Sequence, residues 1–343
     1  MSFLRPAPQD NGTRQDAPNR PVPPCSAQHK PGSFANKPEE SPRKAGCITN
    51  QADPLPPPED KPACLTNKPD PLPASTGKLA LWLNLLMAAS AAGWVIVTSK
   101  LLFLPLDGVL VALAFVLAVA FYTRDRLDES EQSTDATTMP QRTAWVQRYA
   151  NPLRRLVWLN FGMAIILLMI RPAALPPILA GLGFALTYTI RWLPWRGRRV
   201  GWKHLPAMKM PFVAILWTVL TVITPATVYD KLWQVASWRV AASVCLLIMI
   251  QILINDLRDL AGDQKSGTDS LPVLLGDPQA RRIGYLLALI AALLVPTPLA
   301  LPLTALYSAL LLWRYRREAD EQWRFWIEVQ GVVPALLAMA TSL

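Results

Sequence analysis

Long apolar runs separated by short polar loops dominate the chain from Lys78 onward. Runs of this kind predict membrane-crossing helices, which need about 20 residues to traverse a bilayer. Two pairs of runs are separated only by Arg171-Pro172 and by Thr297-Pro298, which predicts tight helical hairpins with proline at the turn. Residues 78–343 are therefore predicted to form an all-α, multi-span integral membrane helical bundle. Its nine predicted transmembrane helices are 79–99, 105–122, 156–170, 173–193, 207–228, 235–254, 283–297, 299–313 and 325–343.

Residues 1–77 differ in composition from the rest of the chain. They contain about half of the 33 prolines, few aromatic residues and nearly balanced charge. Such a segment cannot bury enough apolar surface to offset the entropy lost on ordering, which predicts a disordered, Pro-rich tail. The tail also lacks the apolar region of a signal peptide, so we expect the first span to direct membrane insertion.

Lysine and arginine residues are distributed unequally between the two ends of the predicted helices. Loops on one side contain 20 of these basic residues, and loops on the other side contain 4. The basic side comprises the loops 123–155, 191–209, 255–282 and 314–324. By the positive-inside rule, this bias places the N-terminus and the basic loops on the cytoplasmic side of the cell membrane. It also accounts for most of the net charge of +10, so no nucleic-acid partner is needed to explain it.

Histidines are too few for most of the metal chemistry found in membrane enzymes. The two histidines, His29 and His204, lie in the tail and in a loop, which excludes a bis-histidine haem and a His-box di-iron site. Walker, G-x-S-x-G and H-E-x-x-H motifs are also absent, which excludes the corresponding ATPases, hydrolases and zinc proteases. A metal site in this chain must therefore have oxygen ligands, which favour Mg²⁺ or Ca²⁺.

Acidic residues cluster where two of the predicted spans end on the basic side. Asp256, Asp259 and Asp263 follow the sixth span at positions i, i+3 and i+7, which share one face of a helix. The same spacing recurs after the second span, in Asp125, Asp128 and Gln132. Two such faces on one side of the membrane are suited to hold a polyanion through bridging Mg²⁺.

A simpler interpretation of these charges is also open. Acids at a helix end can form solvated caps through ion pairs with neighbouring arginines and lysines. Basic loop residues can serve only to orient the chain in the membrane. Polar residues within the predicted spans, among them Glu328, are interpreted as partners in helix–helix hydrogen bonds.

Two motifs resemble those of the UbiA superfamily of intramembrane prenyltransferases. The stretch "NDLRDLAGDQKSGTDSLPVLLG" at 255–276 is similar to the second aspartate-rich motif of that superfamily. The stretch "DRLDESEQ" resembles its first motif, N-D-x-x-D-x-x-x-D, except that Arg124 replaces the usual Asn and Gln132 the third Asp. The segment 188–219 resembles the basic loop between spans four and five. The resemblance covers about 105–277, and the nine-span count extends it to 343.

The resemblance implies transfer of an isoprenyl group from a prenyl diphosphate to an aromatic or other lipid-soluble acceptor, as in isoprenoid biosynthesis. The implied cofactor is Mg²⁺, and the implied partners are the prenyl diphosphate, a hydrophobic acceptor and membrane lipids. The implied metal ligands are Asp125, Asp128, Asp256, Asp259 and Asp263. The candidates for catalytic contacts with the diphosphate are Lys203, Lys209 and Arg191. The candidate substrate-binding residues are Asn255, Arg258 and Tyr188.

Three other functions are compatible with the same acidic residues. A CDP-alcohol phosphotransferase also uses clustered aspartates, but its D-G-x-x-A-R signature is absent. A transporter usually carries acids in mid-span or an inverted repeat, whereas these acids follow the spans. A catalytically weakened family member is suggested by Arg124 and Gln132, which depart from the first motif. The number of matching positions in the second motif favours a prenyltransferase site over a solvated cap, and the weakened family member stays open as an alternative.

The distribution of basic residues generates a test of topology. Single cysteines at Ser133 and Ser266, in a chain without native cysteines, are expected to resist an impermeant thiol reagent applied from outside the cell, because both loops face the cytoplasm. A cysteine at Lys231 is the matched control and is expected to react. Reaction at only one of the two serine positions would contradict the pairing of the acidic clusters on one side.

Overall fold

The computed structural model of the protein describes residues 83–128, 140–190, 193–195, 198–202, 205–295, 299–316 and 320–340. The tail predicted at 1–77 lies outside these residues. Within them, helices dominate, and the predicted helical membrane fold is confirmed. The helices are α1 Leu85–Leu101, α2 Gly108–Arg126, α3 Pro140–Arg148, α4 Ala150–Ile170, α5 Leu175–Thr189, α6 Lys209–Thr218, α7 Thr224–Val228, α8 Val235–Ser266, α9 Leu271–Leu275, α10 Asp277–Leu294, α11 Ala300–Arg314, α12 Asp320–Glu328 and α13 Val332–Ala340.

Several short elements connect these helices. A 3-10 helix at Pro172–Ala174 joins α4 to α5, in agreement with the predicted proline turn. A π-helical segment at Val219–Ile223 makes α6 and α7 one continuous helical segment. Two short strands, β1 Leu193–Trp195 and β2 Arg198–Val200, pair antiparallel between α5 and α6. The strands are the part of the described fold that the all-α prediction missed, because three-residue strands leave no detectable periodicity.

Four helical segments in the described part of the chain are long and apolar enough to cross a bilayer. They are Gly108–Arg126, Ala150–Ile170, Lys209–Val228 and Val235–Lys265. Shorter apolar helices at Leu85–Leu101, Pro172–Tyr188 and Ala300–Arg314 accompany them. The protein is therefore an integral membrane protein.

Helix α8 occupies the centre of the larger apolar core. Its residues Leu247, Ile250 and Leu253 are fully buried, and it packs against α6 and α10. The sixth predicted span ended at 254, whereas α8 continues to Ser266. Hydropathy detects the apolar part of a helix and not its polar continuation, which explains the difference. The acidic residues that follow the apolar run therefore belong to the same rigid helix.

The predicted ninth span is broken into two helices. Residues 329–331 form a turn between α12 and α13, and this turn crosses α1 at Gly93. A Cβ atom on Gly93 would overlap the Gly331 carbonyl, so the two backbones can approach this closely only because both residues are glycines. The Ser90 hydroxyl donates to the Glu328 carbonyl, and the Gly331 amide donates to Ser90 Oγ at 3.2 Å. These contacts attach the end of α12 to α1.

An ion-paired cluster around Asp107 lies where α2 begins. Asp107 caps α2 by accepting a 2.9 Å hydrogen bond from the Val109 amide. Its other oxygen, Oδ2, accepts hydrogen bonds from Arg171 Nε at 2.7 Å and from the Tyr229 hydroxyl at 3.0 Å. Asp107 therefore joins the start of α2 to the α4–α5 turn and the end of α7. The two acidic clusters predicted from the sequence lie instead at the C-terminal ends of α2 and α8.

Candidate active site

The end of α8 holds the second acidic cluster, defined as Asp256, Asp259 and Asp263. Asp256 and Asp263 are 1% and 4% exposed, and the side chain of Asp259 is 16% exposed. Gly267 ends the helix in a left-handed conformation with a φ of 70°, and the Thr268 amide donates a 2.9 Å hydrogen bond to the Asp263 carbonyl. The cap holds the last turns of α8 in place. Three carboxylates are thus fixed at the end of an apolar helix, where unpaired negative charge is strongly unfavourable.

Lys209, the first residue of α6, faces this cluster. Its Nζ atom lies 3.1 Å from Asp256 Oδ1, and its charge also interacts with the other two aspartates of the cluster. The Ala207 amide donates a 2.8 Å hydrogen bond to the Asp269 carbonyl. This backbone contact fixes the start of α6 against the loop that follows α8. The fold therefore places a predicted diphosphate-contacting residue next to a predicted metal ligand.

Arg258 organises two other residues of α8. Its Nε and Nη2 atoms donate to the two oxygens of Asp259 at 2.8 and 2.7 Å. Its Nη1 atom donates to Asn255 Oδ1 at 3.1 Å. A bidentate arginine pair fixes the plane of a carboxylate as well as its position. Asn255, Arg258 and Asp259 thus form one oriented polar unit on α8.

The first acidic cluster lies at the end of α2, and Arg126 at that end interacts with the second cluster. Asp125 and Asp128 are exposed, in and just after the last turn of α2. The guanidinium group of Arg126, which lies between them in sequence, interacts electrostatically with Asp259. The ends of α2 and α8 are therefore neighbours in the fold. Gln132, the third position of this cluster, lies outside the described residues.

A further group of buried charges was not predicted from the sequence. Glu328, in the last turn of α12, is 7% exposed, and its carboxylate interacts electrostatically with four arginines. They are Arg126 of α2, Arg142 of α3, Arg258 of α8 and Arg324 of α12. We call these five residues the Glu328 cluster. The cluster connects α3 and α12 to the residues that orient Asp259.

The sequence contains a signal for the Glu328 cluster, because Glu328 is an acid inside an apolar run. From the sequence alone, this acid is interpreted as a partner in helix–helix hydrogen bonds. A carboxylate inside an apolar run requires a partner of opposite charge or a function. Arg324 lies only four residues before Glu328, but the other three arginines are far away in sequence, and all four are explained by the positive-inside bias. Arg142 is only 3% exposed, and its burial depends on how α3 packs against the bundle. That packing cannot be deduced from a nine-residue helix.

A small cavity lies between α1, α2, α6 and α8, beside Asn255. Its walls are partly aromatic, and the rings of Tyr122 and Trp217 stack there with centroids 5.5 Å apart. The polar side chains on its walls include Ser90 and Gln251. Asn255 directly precedes Asp256, so an apolar and aromatic chamber adjoins the acidic cluster.

Tyr188, predicted to bind substrate, belongs to an aromatic stack beside Lys209. Its ring lies 4.6 Å from that of Phe212, and Phe184 stacks on the same ring at 4.1 Å. Tyr188 also interacts electrostatically with Lys209. The stack holds the end of α5 against α6. The two other predicted catalytic residues, Arg191 and Lys203, lie outside the described residues.

The acidic cluster contains oxygen donors suited to Mg²⁺. Asp256 Oδ2 is buried and forms no hydrogen bond with any described residue. Within the described ranges, no three His, Cys, Asp or Glu side chains lie close enough together to hold a metal ion by themselves. Mg²⁺ does not require such a cage, because it is usually bound by one or two carboxylates together with water and substrate phosphates. The residues therefore fit Mg²⁺ that arrives with a diphosphate.

Comparison with known proteins identifies the class to which this membrane protein belongs. The model of the UbiA prenyltransferase family matches residues 153–328, about half of the chain. The protein is a member of the UbiA prenyltransferase family and hence a membrane prenyltransferase. The matched range includes the acidic cluster of α8 and ends at Glu328, whereas the cluster of α2 precedes it.

One solved structure resembles this fold and is described as "Structural and mechanistic insights into the biosynthesis of Digeranylgeranylglyceryl phosphate synthase in membranes". The two chains are 15% identical, and the alignment covers 77% of this chain and 98% of the other with a TM-score of 0.46. A similarity of this size carries no information about the substrate. A comparison with curated proteins found no match.

The contact between Lys209 and Asp256 generates a stability test. Lys209→Met leaves the buried Asp256 without its cationic partner and is expected to reduce the free energy of unfolding by about 3 kcal/mol, because an uncompensated buried charge is highly unfavourable. Adding Asp256→Asn is expected to recover most of that loss. Thermal unfolding of the purified protein measures both effects.

The matched control for this test is Lys265→Met, which removes an exposed lysine from the same end of α8. It is expected to change stability by less than about 0.5 kcal/mol. If Lys209→Met were as mild as this control, or if the double variant were less stable than Lys209→Met alone, the pair would not hold the helices together as described.

Proposed function

We propose that the protein transfers an isoprenyl group from a prenyl diphosphate to an aromatic or other lipid-soluble acceptor, with Mg²⁺ as cofactor. Membership of the prenyltransferase family supports the class of reaction. The observation that carries the assignment to this site is the environment of Asp256. One of its oxygens contacts Lys209, the other is buried without a hydrogen bond to any residue that the structure describes, and an aromatic cavity begins at the preceding residue.

The diphosphate binds at the neighbouring ends of α2 and α8. Lys209 contributes a partly exposed ammonium group beside Asp256, which can move from the carboxylate to a phosphate oxygen. Arg258 keeps Asp259 oriented by its bidentate contact. Bound Mg²⁺ offsets the charge of the diphosphate and of the leaving pyrophosphate. The residues that hold it are Asp256, Asp259 and Asp263 of α8, with Asp125 and Asp128 of α2.

The charge distribution of the site matches the chemistry of allylic ionisation. Cleavage of the bond between C1 and oxygen leaves an allylic cation and a pyrophosphate anion. Cationic groups fixed in a water-poor environment stabilise the developing negative charge on the leaving group. The ring faces of Tyr122 and Trp217, which line the cavity, are suited to contact the cation. The cavity also keeps water away from the cation until the acceptor reacts.

The site faces the cytoplasm in this proposal. The basic loops that follow α2 and α8 and precede α6 contain most of the arginines and lysines of the membrane domain. Basic loops of membrane proteins remain on the cytoplasmic side. Prenyl diphosphates are water-soluble at one end and apolar at the other, so a site at this boundary can take them from either the cytoplasm or the inner leaflet.

A catalytically weakened prenyltransferase is the second candidate. Arg258 donates to both oxygens of Asp259, and the charge of Arg126 also acts on this group, so a metal ion competes with arginines for that carboxylate. Asp125 and Asp128 are exposed, in contrast to the buried acids of α8. Under this alternative the protein still binds a prenyl diphosphate but turns it over slowly.

Substitution of the acids on α8 tests the proposed function. Asp256→Asn and Asp259→Asn keep the size of each side chain but remove a negative ligand, so each is expected to lower turnover about 100-fold or more. The assay measures pyrophosphate release and the transfer of tritium from labelled prenyl diphosphates of several chain lengths into a lipid extract. Turnover is expected to require added Mg²⁺.

Asp277→Asn is the matched control, because Asp277 lies at the start of α10 and pairs with Arg281 of the same helix. It is expected to retain near-normal turnover. Slow turnover in the unaltered protein that is still abolished by Asp256→Asn would identify the weakened enzyme. Full turnover in Asp256→Asn and Asp259→Asn without added Mg²⁺ would contradict the proposed role of these acids.

A further inference from the structure

Prenyl transfer requires the acceptor to lose a proton. When a ring carbon or a hydroxyl oxygen of the acceptor forms a bond to C1 of the allylic cation, the hydrogen on that atom must leave as a proton. A base positioned at the acceptor accelerates this step. The acids of α8 are committed to the diphosphate in the proposed function. The base must therefore be sought among the other buried groups at this end of the bundle.

Few buried carboxylates are available in the described part of the chain. Those below 10% exposure are Asp107, Asp256, Asp263 and Glu328. Asp107 lies at the opposite end of α2, where it pairs with Arg171. Asp256 and Asp263 both interact with Lys209. Glu328 is the buried carboxylate at this end that is not part of the diphosphate site.

The Glu328 side chain has an unused acceptor atom in a charged environment. Its Oε2 atom is buried and forms no hydrogen bond with any described residue. The four arginines of the Glu328 cluster provide the positive charge that a buried carboxylate needs. A buried polar atom without a partner is rare in folded proteins and requires an explanation. A hydroxyl or an acidic C–H group of a bound acceptor would provide the missing partner.

Contacts with the cavity walls hold Glu328 beside the cavity. The Ser90 hydroxyl donates to the Glu328 carbonyl, and Gln251 Nε2 donates to the Ile327 carbonyl at 2.9 Å. Ser90 and Gln251 both line the cavity. Tyr122, on another wall, interacts electrostatically with Glu328. The last turn of α12 is therefore hydrogen-bonded to two walls of the cavity and lies within electrostatic range of a third.

We propose that the Glu328 carboxylate is the general base that accepts the proton of the acceptor during prenyl transfer. This inference rests on the proposed function. The bond between C1 and the diphosphate oxygen breaks, and pyrophosphate leaves with the electron pair. A bond forms between C1 and the acceptor atom, whose proton passes to Glu328 and then to water. The acceptor class that follows has an exchangeable or activated hydrogen at the atom that is prenylated, as in a phenol or an alcohol.

The variant Glu328→Gln separates proton removal from ionisation. The full-length protein in lipid nanodiscs is incubated with Mg²⁺, tritiated geranylgeranyl diphosphate or farnesyl diphosphate, and a lipid extract as the source of acceptor. Two products are counted, the prenylated lipid and the prenyl alcohol formed when water captures the cation. In Glu328→Gln the prenylated lipid is expected to fall about 100-fold or more, while the prenyl alcohol and pyrophosphate persist.

Controls distinguish a base from a structural residue. Glu328→Asp keeps a carboxylate and is expected to restore part of the transfer, and Asp277→Asn removes an acid elsewhere at this end and is expected to transfer normally. If Glu328→Gln does not fold, as judged by thermal unfolding, the ratio of the two products is read from Glu328→Asp. Its side chain is one methylene shorter, which displaces the carboxylate, and the ratio is expected to shift towards alcohol.

Different experimental results would contradict the proposed function and the role of Glu328 as a base. If the unaltered protein released no pyrophosphate from any prenyl diphosphate, the proposed function itself would be wrong. If the unaltered protein transferred and Glu328→Gln transferred within about threefold of it, only the role of Glu328 would be wrong. A parallel loss of transfer and of pyrophosphate release in a folded Glu328→Gln protein would also overturn the base assignment, because it would place Glu328 in the ionisation step.

Discussion

The carboxylates at the end of α8 impose the main constraint on this structure. An apolar helix that ends in three acids, two of them almost completely buried, needs positive charge from its neighbours. Lys209 provides that charge to Asp256 from the start of α6, and the contact between Ala207 and Asp269 holds α6 in the required position. Arg258 provides it to Asp259. The arrangement of helices around the site follows from this need for compensation.

Helix α8 also connects the polar and apolar halves of the site. Ile248, Gln251 and Asn255 line the cavity at spacings of three and four residues, so they share one face of the helix. Asp256 directly follows Asn255, which places the proposed diphosphate-binding end of α8 within one helical turn of the cavity. An amphiphilic substrate can therefore lie along a single helix, with its charged head at the acids and its first isoprene unit in the cavity.

The helical membrane class and the two acidic helix ends could be predicted because they depend on local sequence. Apolar runs identify helices, and the spacing of Asp256, Asp259 and Asp263 places them on one face. The break at 329–331 and the Glu328 cluster could not be predicted. The break depends on contacts between residues more than 200 positions apart, such as the hydrogen bond from Ser90 to Glu328. The Glu328 cluster depends on arginines from three other helices. Local patterns carry no information about such contacts.

In the proposed binding mode, the prenyl diphosphate lies with its charged head at the end of α8 and its chain in the cavity. Photo-crosslinking with a prenyl diphosphate that carries a diazirine on the first isoprene unit, followed by peptide mass spectrometry, tests it directly. Mg²⁺-dependent adducts are expected on cavity residues such as Trp94, Ile248 and Ile252. Inorganic pyrophosphate is expected to reduce their formation by competing for the same site. Adducts confined to the exposed apolar residues of α4 and α5, and insensitive to pyrophosphate, would contradict it.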